Sequence, residues 1–138
     1  MDVGSGNGLP GIPLALSSPG ARFILLDRSS SKADFLELVT ARLGLRNVRV
    51  VCAEFGPPVL QTEAPDLLLS RAVKGADLFT PRLARMDLYP PSIIFATENN
   101  ESDWIRLADR AQLEIAKRVT YSLSDGSPGR VLLKFAPV

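Results

Sequence analysis

The sequence predicts an α/β fold with a mostly parallel sheet and an antiparallel strand at its C-terminal end. A glycine-rich loop, Gly4-Ser5-Gly6-Asn7-Gly8, lies near the start of the chain, and apolar runs then alternate with segments of helical periodicity. The last two apolar runs are joined by a stretch rich in turn residues, 124–129, which favours an antiparallel pair. At 138 residues the chain can bury one sizeable core, so we expect one domain, 1–138.

The individual elements follow from periodicity and from turn and cap signals. Buried strands are predicted at 22–27, 48–52, 66–70, 92–97, 114–121 and 130–135. One helix is expected to begin near 10–12, and a second to begin with Ser31 as its N-cap and to end at Gly44. A third helix is predicted at 103–113, with an apolar face formed by Trp104, Leu107, Ala108 and Ala111.

The start of the chain differs from this pattern. Met1-Asp2-Val3 directly precedes the glycine loop, whereas a first strand of about 5 or 6 residues is usual in such a sheet. That strand would be central, and shortening it leaves backbone groups of its neighbours unpaired. We therefore expect the sequence to be N-terminally truncated, with its first strand incomplete.

Composition excludes several classes of site. The chain has no histidine and one cysteine, Cys52, which excludes His-containing zinc sites, Ser-His-Asp triads and histidine general bases. We expect no metal, and we expect Cys52 to be a small buried residue. Neither a membrane-spanning run nor a signal peptide is found, so a cytoplasmic protein is expected. We also expect a monomer. The net charge of +1 means that a nucleic acid would need a local basic patch.

The glycine loop indicates a nucleotide-type ligand. Glycines at alternate positions let the backbone approach a ligand, and the following helix offers free N–H groups. A dinucleotide-binding loop reads G-x-G-x-x-G, but Leu9 stands where its third glycine would be, and Gly8 lies one place earlier. The spacing of Gly4, Gly6 and Gly8 thus favours S-adenosyl-L-methionine over NAD. The alternative is a tight turn with a purely structural role.

Two acidic residues extend this hypothesis. Asp27 ends the next predicted strand about 20 residues after the loop, where an acid accepts the hydroxyls of a ribose. Glu54 follows the strand after that, where it could meet an adenine edge. The alternatives are a polar residue that closes a strand, for Asp27, and a solvated loop carboxylate, for Glu54.

The residues around these positions resemble one family in particular. The segment from Asp2 to Ala15, with its Leu-Pro-Gly-Ile-Pro continuation, is similar to the glycine motif of the bacterial guanine-N7 methyltransferases of small-subunit ribosomal RNA, also called the glucose-inhibited division protein B family. Further similarity is carried by Leu26-Asp27, Lys32, Phe35-Leu36, the Leu-Gly-Leu-Arg-Asn-Val stretch at 43–48, Ala53-Glu54 and Ser70-Arg71-Ala72. It is closest from Asp2 to Ala72.

The resemblance implies a Rossmann-like class I methyltransferase fold that uses S-adenosyl-L-methionine as its cofactor and ribosomal RNA of the small subunit as its partner. By this match Gly4, Leu9, Ala53, Glu54 and Arg71 would contact the methyl donor, and Asp27 would hold its ribose. Arg71 and Lys74 are the candidate substrate contacts. For Arg71 the alternative is a structural ion pair with Asp66 or Asp77. We assign no catalytic residue, because guanine N7 is itself a nucleophile and transfer needs alignment more than a base.

The sequence also departs from the family pattern. Similar proteins carry lysine and glycine after the fifth strand, where this chain has Ala96-Thr97-Glu98-Asn99, and Glu98 would repel phosphate. The family's N-terminal helical extension is absent from the sequence. Further cations offer RNA contacts, although solvated helix faces are the ordinary alternative: Arg82, Arg85, Arg106, Arg110, Lys117 and Arg118. A class I methyltransferase of another substrate, and a non-catalytic member of the fold, stay open as alternatives.

Overall fold

The protein folds around a single mixed sheet. The computed structural model describes residues 1–73, 90–124 and 129–137, and within them seven strands pair in the order β3-β2-β1-β4-β5-β7-β6. The strands are β1 (Asp2–Val3), β2 (Phe23–Asp27), β3 (Val48–Cys52), β4 (Leu68–Arg71), β5 (Ser92–Thr97), β6 (Leu113–Tyr121) and β7 (Arg130–Pro137). All pairings are parallel except those of β7 with β5 and β6. The predicted parallel sheet with an antiparallel C-terminal strand is confirmed.

Helices cover both faces of this sheet. The described helices are α1 (Gly11–Ser17), α2 (Ser30–Arg42), α3 (Pro57–Glu63) and α4 (Glu101–Arg110). On one face Ile12 of α1 and Leu36 of α2 pack against Leu25 of β2. The opposite face carries the larger core, in which side chains of α3 and α4 meet the central and C-terminal strands. Trp104 of α4 lies in this core, as its helical face predicts.

The first strand is short and central. Asp2 and Val3 pair with β2 on one side and with β4 on the other. Beyond Val3 the loop continues this pairing, because the Gly4 and Ser5 amides both donate to the Leu26 carbonyl, at 2.8 and 3.0 Å. Two strand residues are thus enough to carry the glycine loop to the carboxyl edge of the sheet.

Several element boundaries differ from the prediction. The N-cap of α2 is Ser29, not Ser31, because three consecutive serines give the same cap signal and the Asp27 carboxylate accepts the Ser29 amide at 3.0 Å. The last helix ends at Arg110, not at residue 113, since Gln112 has a φ of 57° and Leu113 starts β6. Helix α3 was not predicted: its seven residues are too few for a periodic signal, although its two prolines suit a first turn.

The prediction for Cys52 is wrong. Its side chain is exposed, because β3 is an edge strand and Cys52 is its last residue. The neighbouring Val51 instead packs against the larger core.

None of the described helices is both long and apolar enough to cross a bilayer. Within the same residues no three histidine, cysteine or acidic side chains group in a way that could hold a metal ion.

Candidate functional site

A cleft of about 630 Å³ opens at the carboxyl ends of the central strands. Its described lining comes from the ends of β1 and β2 and from the segments that follow β3 and β4: Val3, Gly4, Leu26, Asp27, Arg28, Ala53, Glu54, Phe55, Ala72 and Val73. The chain runs from β1 to β2 and β3 on one side, and to β4 and β5 on the other. This reversal of strand order is where open α/β sheets bind ligands, and the volume suits a nucleoside-sized molecule.

Asp27 connects the two elements that border the cleft. Its Oδ2 accepts the Gly6 amide at 2.9 Å, and its Oδ1 accepts the Ser29 amide at 3.0 Å. One carboxylate therefore fixes both the glycine loop and the start of α2. Each oxygen has a second lone pair, so a carboxylate that lines the cleft retains acceptor capacity for a ligand hydroxyl.

Gly4 is required by close packing at the cleft. Its φ is 69°, and a β-carbon built on it would overlap the Val73 side chain. Ala72, which directly precedes Val73 and also lines the cleft, has a positive φ as well, of 61°. An L side chain at position 4 would therefore meet both backbone strain and a clash, which explains a glycine there in terms of geometry.

The buried carboxyl of Asp2 anchors the end of the glycine-loop segment, where α1 begins. Its Oδ2 accepts the Gly11 amide at 3.0 Å, at the start of α1, and its side chain is almost fully buried. No described group bonds to the other oxygen, Oδ1. Burial raises the pKa of Asp2 to about 6, against the opposing effect of the Gly11 hydrogen bond.

The segment after β3 forms a second wall. Ala53 and Glu54 both line the cleft, and the Ala53 amide donates to the Asp27 carbonyl at 3.1 Å, which ties this wall to the end of β2. Glu54 is exposed. The structure therefore brings together Gly4, Asp27, Ala53 and Glu54, four of the residues predicted to contact the donor.

Other lining residues were missed. Arg28 and Phe55 directly follow Asp27 and Glu54 and line the same cleft. Their position was the available signal, since residues just past the ends of parallel strands line such a crevice. Arg28 is exposed, and among the described residues it has no ion pair.

The remaining predicted contacts lie at or beyond the edge of the cleft. Gly8 is buried, and a β-carbon on it would overlap the Ile12 side chain. Leu9 is 48% exposed and is not among the described lining residues. Arg71 is exposed at the end of β4, directly before Ala72, and no described carboxylate pairs with it. Lys74 lies outside the described residues, so its role stays a prediction.

The other candidate cations divide into groups. Arg106 pairs with Asp103, and Arg118 pairs with Glu101, so both have acidic partners on or beside α4. Arg110 and Lys117 are exposed and have no described ion pair. Arg82 and Arg85 fall outside the described residues.

Comparison with known proteins identifies the family to which the chain belongs. The family model of GidB, described as rRNA small subunit methyltransferase G, matches residues 1–120 of the 138. This match covers the glycine loop, the Asp27 strand end and every described residue of the cleft lining.

The chain belongs to the GidB family.

Curated relatives within the GidB family bear this out. The ribosomal RNA small subunit methyltransferase G of Nitrosococcus oceani is 33% identical over 137 residues, which are 99% of this chain and 63% of that protein. The protein of the same name from Laribacter hongkongensis is 50% identical over 86 residues, or 62% of this chain and 40% of that protein. The chain thus spans less than two thirds of the length of these GidB relatives.

A solved structure of low sequence identity shares the fold. TrmK of M. capricolum, solved with the natural cofactor product S-adenosyl-homocysteine, superposes with a TM-score of 0.73 at 11% identity, over 97% of this chain and 59% of that one. At this identity the likeness is one of fold. The fold is that of the Rossmann-like class I methyltransferases, as the sequence predicted.

Proposed function

We propose that this GidB-family chain binds S-adenosyl-L-methionine and transfers its methyl group to N7 of a guanosine in small-subunit ribosomal RNA. The observation that supports the proposal is the cleft itself. It lies at the strand-order reversal, between the glycine loop and Asp27, in a chain whose family model bears the name of an rRNA methyltransferase.

The residues of the cleft fit the proposed donor. An adenosine with an amino-acid tail needs hydroxyl acceptors, an apolar wall for a base, and room near backbone amides. Asp27 supplies the acceptors, Phe55 and Ala53 supply apolar surface, and Gly4 keeps the loop free of a side chain. In this proposal Glu54 and Arg28 lie beside the base, and Arg71 and Leu9 contact the donor from the rim.

The donor would supply an electrophilic methyl group on a sulfonium. The protein then has to bind the donor and the guanosine, orient them, and exclude water from the cleft. The hydrogen bonds from Gly6 and Ser29 to Asp27 fix the ribose-binding carboxylate before any ligand arrives, which limits the entropy lost on binding. No general base is required, because guanine N7 carries a free lone pair.

The proposed substrate also indicates where the protein works and what it contacts. An enzyme that modifies small-subunit ribosomal RNA works in the cytoplasm, and it needs neither a membrane segment nor a metal. We propose that it acts as a monomer, with Arg71 and Lys74 as RNA contacts near the cleft.

The direct test is methyl transfer. The chain is incubated with unmodified small-subunit ribosomal RNA and methyl-labelled donor, and the digested RNA is analysed by mass spectrometry. We expect label in N7-methylguanosine, and Asp27→Ala is expected to abolish it. Label in another nucleoside would support a different substrate, and no transfer by a chain that binds S-adenosyl-homocysteine would contradict the catalytic proposal.

One observation favours a second candidate, a non-catalytic member of the family. Glu98 is exposed just past β5, its side chain lies against Gly129, and its amide donates to the Gly129 carbonyl at 3.1 Å. An acid in this place opposes RNA phosphate. In this alternative the chain keeps the donor cleft and has lost the recruitment of substrate.

A further inference from the structure

The cleft contains one basic side chain among its described lining residues, that of Arg28. Two carboxylates, Asp27 and Glu54, belong to the same lining, yet no described carboxylate pairs with Arg28. Asp27 instead accepts the amides of Gly6 and Ser29, one on each oxygen. Arg28 is exposed, so the faces of its guanidinium are open to a ligand in the cleft.

The place of Arg28 in the chain is unfavourable for a cation. It directly precedes Ser29, the N-cap of α2, and the first turn of this 13-residue helix contains no acidic residue. A positive charge there lies at the positive end of the helix dipole. A residue that breaks a local rule in this way is often placed for function.

Lys32 provides a useful contrast. It lies in the first turn of the same helix, so its charge meets the same dipole. Its Nζ, however, donates to the side-chain oxygen of Asn7 at 2.8 Å, which ties the tip of the glycine loop to α2. Lys32 therefore has a partner within the protein, whereas the described part of the chain gives Arg28 no carboxylate and a position in the cleft.

The neighbours of Arg28 indicate which part of a ligand it meets. Asp27 pairs with Cys52 in the parallel register of β2 and β3, so the next residues, Arg28 and Ala53, lie beside each other where the two strands end. The Ala53 amide donates to the Asp27 carbonyl at 3.1 Å and continues this pairing. Ala53 and Phe55 are half-buried and pack against the larger core, so they form a fixed apolar wall next to Arg28.

This arrangement suits a flat aromatic ring. In the proposed function Asp27 holds the ribose, and the base attached to that ribose lies next to it, toward the wall formed after β3. A guanidinium is planar and more weakly hydrated than an ammonium, and it stacks on aromatic faces. An arginine beside an apolar wall can therefore cover a base.

We propose that Arg28 stacks its guanidinium on the adenine of the donor and sets the affinity of the cleft for that base. The inference rests on the proposed function, since it assigns a contact to that donor. It depends on the planar shape of the side chain more than on its charge.

The test is calorimetric titration of the full chain with two probes. One probe is S-adenosyl-homocysteine, and the other is 5′-methylthioadenosine, which has the same adenine and ribose but no amino-acid tail. Arg28→Ala is expected to bind both probes about tenfold more weakly, because the stacking contact is lost in each.

Two further variants separate shape from charge. Arg28→Lys keeps the charge without the plane and is expected to bind both probes about fivefold more weakly. Arg28→Tyr keeps a planar group without the charge and is expected to stay within about twofold of wild type. Arg22→Ala is the matched control, because Arg22 is exposed and directly precedes the opposite end of the same strand, and its affinities are expected to equal those of wild type.

Three results would overturn the inference. A loss for S-adenosyl-homocysteine alone, with 5′-methylthioadenosine unaffected, would show that Arg28 binds the carboxylate of the tail. Unchanged affinity for both probes, with or without weaker binding of an RNA oligonucleotide by Arg28→Ala, would show that it does not contact the donor. Full retention of affinity by Arg28→Lys together with a loss in Arg28→Tyr would show that charge, and not stacking, is what matters.

The same titrations separate this inference from the proposed function. If wild type binds both probes but transfers no methyl group to ribosomal RNA, the proposed function fails, and the affinities of the variants still decide the role of Arg28. If wild type binds both probes and the Arg28 variants bind them equally well, the inference alone fails. If folded wild type binds neither probe, both fail.

Discussion

At the scale of single residues, Asp2 shows how a buried carboxyl couples the loop to stability. Its pKa of about 6 in the folded chain lies above the ordinary value of 3.8 because burial disfavours its charged form. The stability that protonated Asp2 contributes is therefore complete below pH 4 and is lost as the pH rises through about 6. The shift corresponds to a loss on the order of 3 kcal/mol.

We predict that Asp2→Asn flattens the dependence of the unfolding free energy on pH between about 4 and 7. Asparagine can still accept the Gly11 amide and cannot ionise. The measurement is urea unfolding of both proteins at several pH values. Parallel curves for wild type and variant would show that Asp2 does not titrate in this range.

Glu98 gives a second prediction at this scale. Glu98→Lys is expected to raise RNA affinity about fivefold at low salt, because it replaces a repulsive charge just past the end of β5 with an attractive one. Glu37→Lys, an equal charge change at an exposed position of α2, is the control. Fluorescence anisotropy with a labelled single-stranded RNA oligonucleotide measures both affinities, and equal gains would mean that only net charge matters.

The cleft residues that sequence reasoning missed directly follow the acidic residues that it predicted. Asp27 and Glu54 were predicted because an acid at a strand end has a known use, and both line the cleft. Arg28 and Phe55 have no such signal in their residue types. Exposure of Cys52 depends on β3 being an edge strand, which is a property of strand order and not of the residue.

At the scale of elements, most strands were predictable and helix ends were not. Strand runs of buried β-branched and aliphatic residues have few alternative interpretations, whereas caps depend on which of several serines meets a carboxylate. The end of α2 was predictable because Gly44 adopts a φ of 64°, a conformation that favours glycine. The end of α4 was not, since Gln112 takes a similar φ without being glycine.

This difference predicts the cost of one substitution. Gly44→Ala is expected to lower the unfolding free energy by about 1 kcal/mol, through backbone strain alone, because an added β-carbon meets no atom within 4 Å. Gly20→Ala is the matched control, since its site is equally open and its φ lies outside the left-handed region. Chemical unfolding measures both, and equal effects would show that strain at Gly44 is not the cause.

At the scale of the whole molecule, strand order decides the function of the site. The sequence predicts strands and helices one by one, but the cleft exists because β1 lies between β2 and β4. The family resemblance supplied that order, and residue patterns alone did not.

The central claim is that the cleft beside Asp27 is a donor site, and calorimetric titration with S-adenosyl-homocysteine tests it most directly. Wild type is expected to bind with micromolar affinity, and Asp27→Ala about 100-fold more weakly, because two charge-assisted hydrogen bonds are lost. Asp34→Ala, an equal charge change on exposed α2, is expected to bind as wild type does. No binding by folded wild type, or equal binding by Asp27→Ala, would contradict the account.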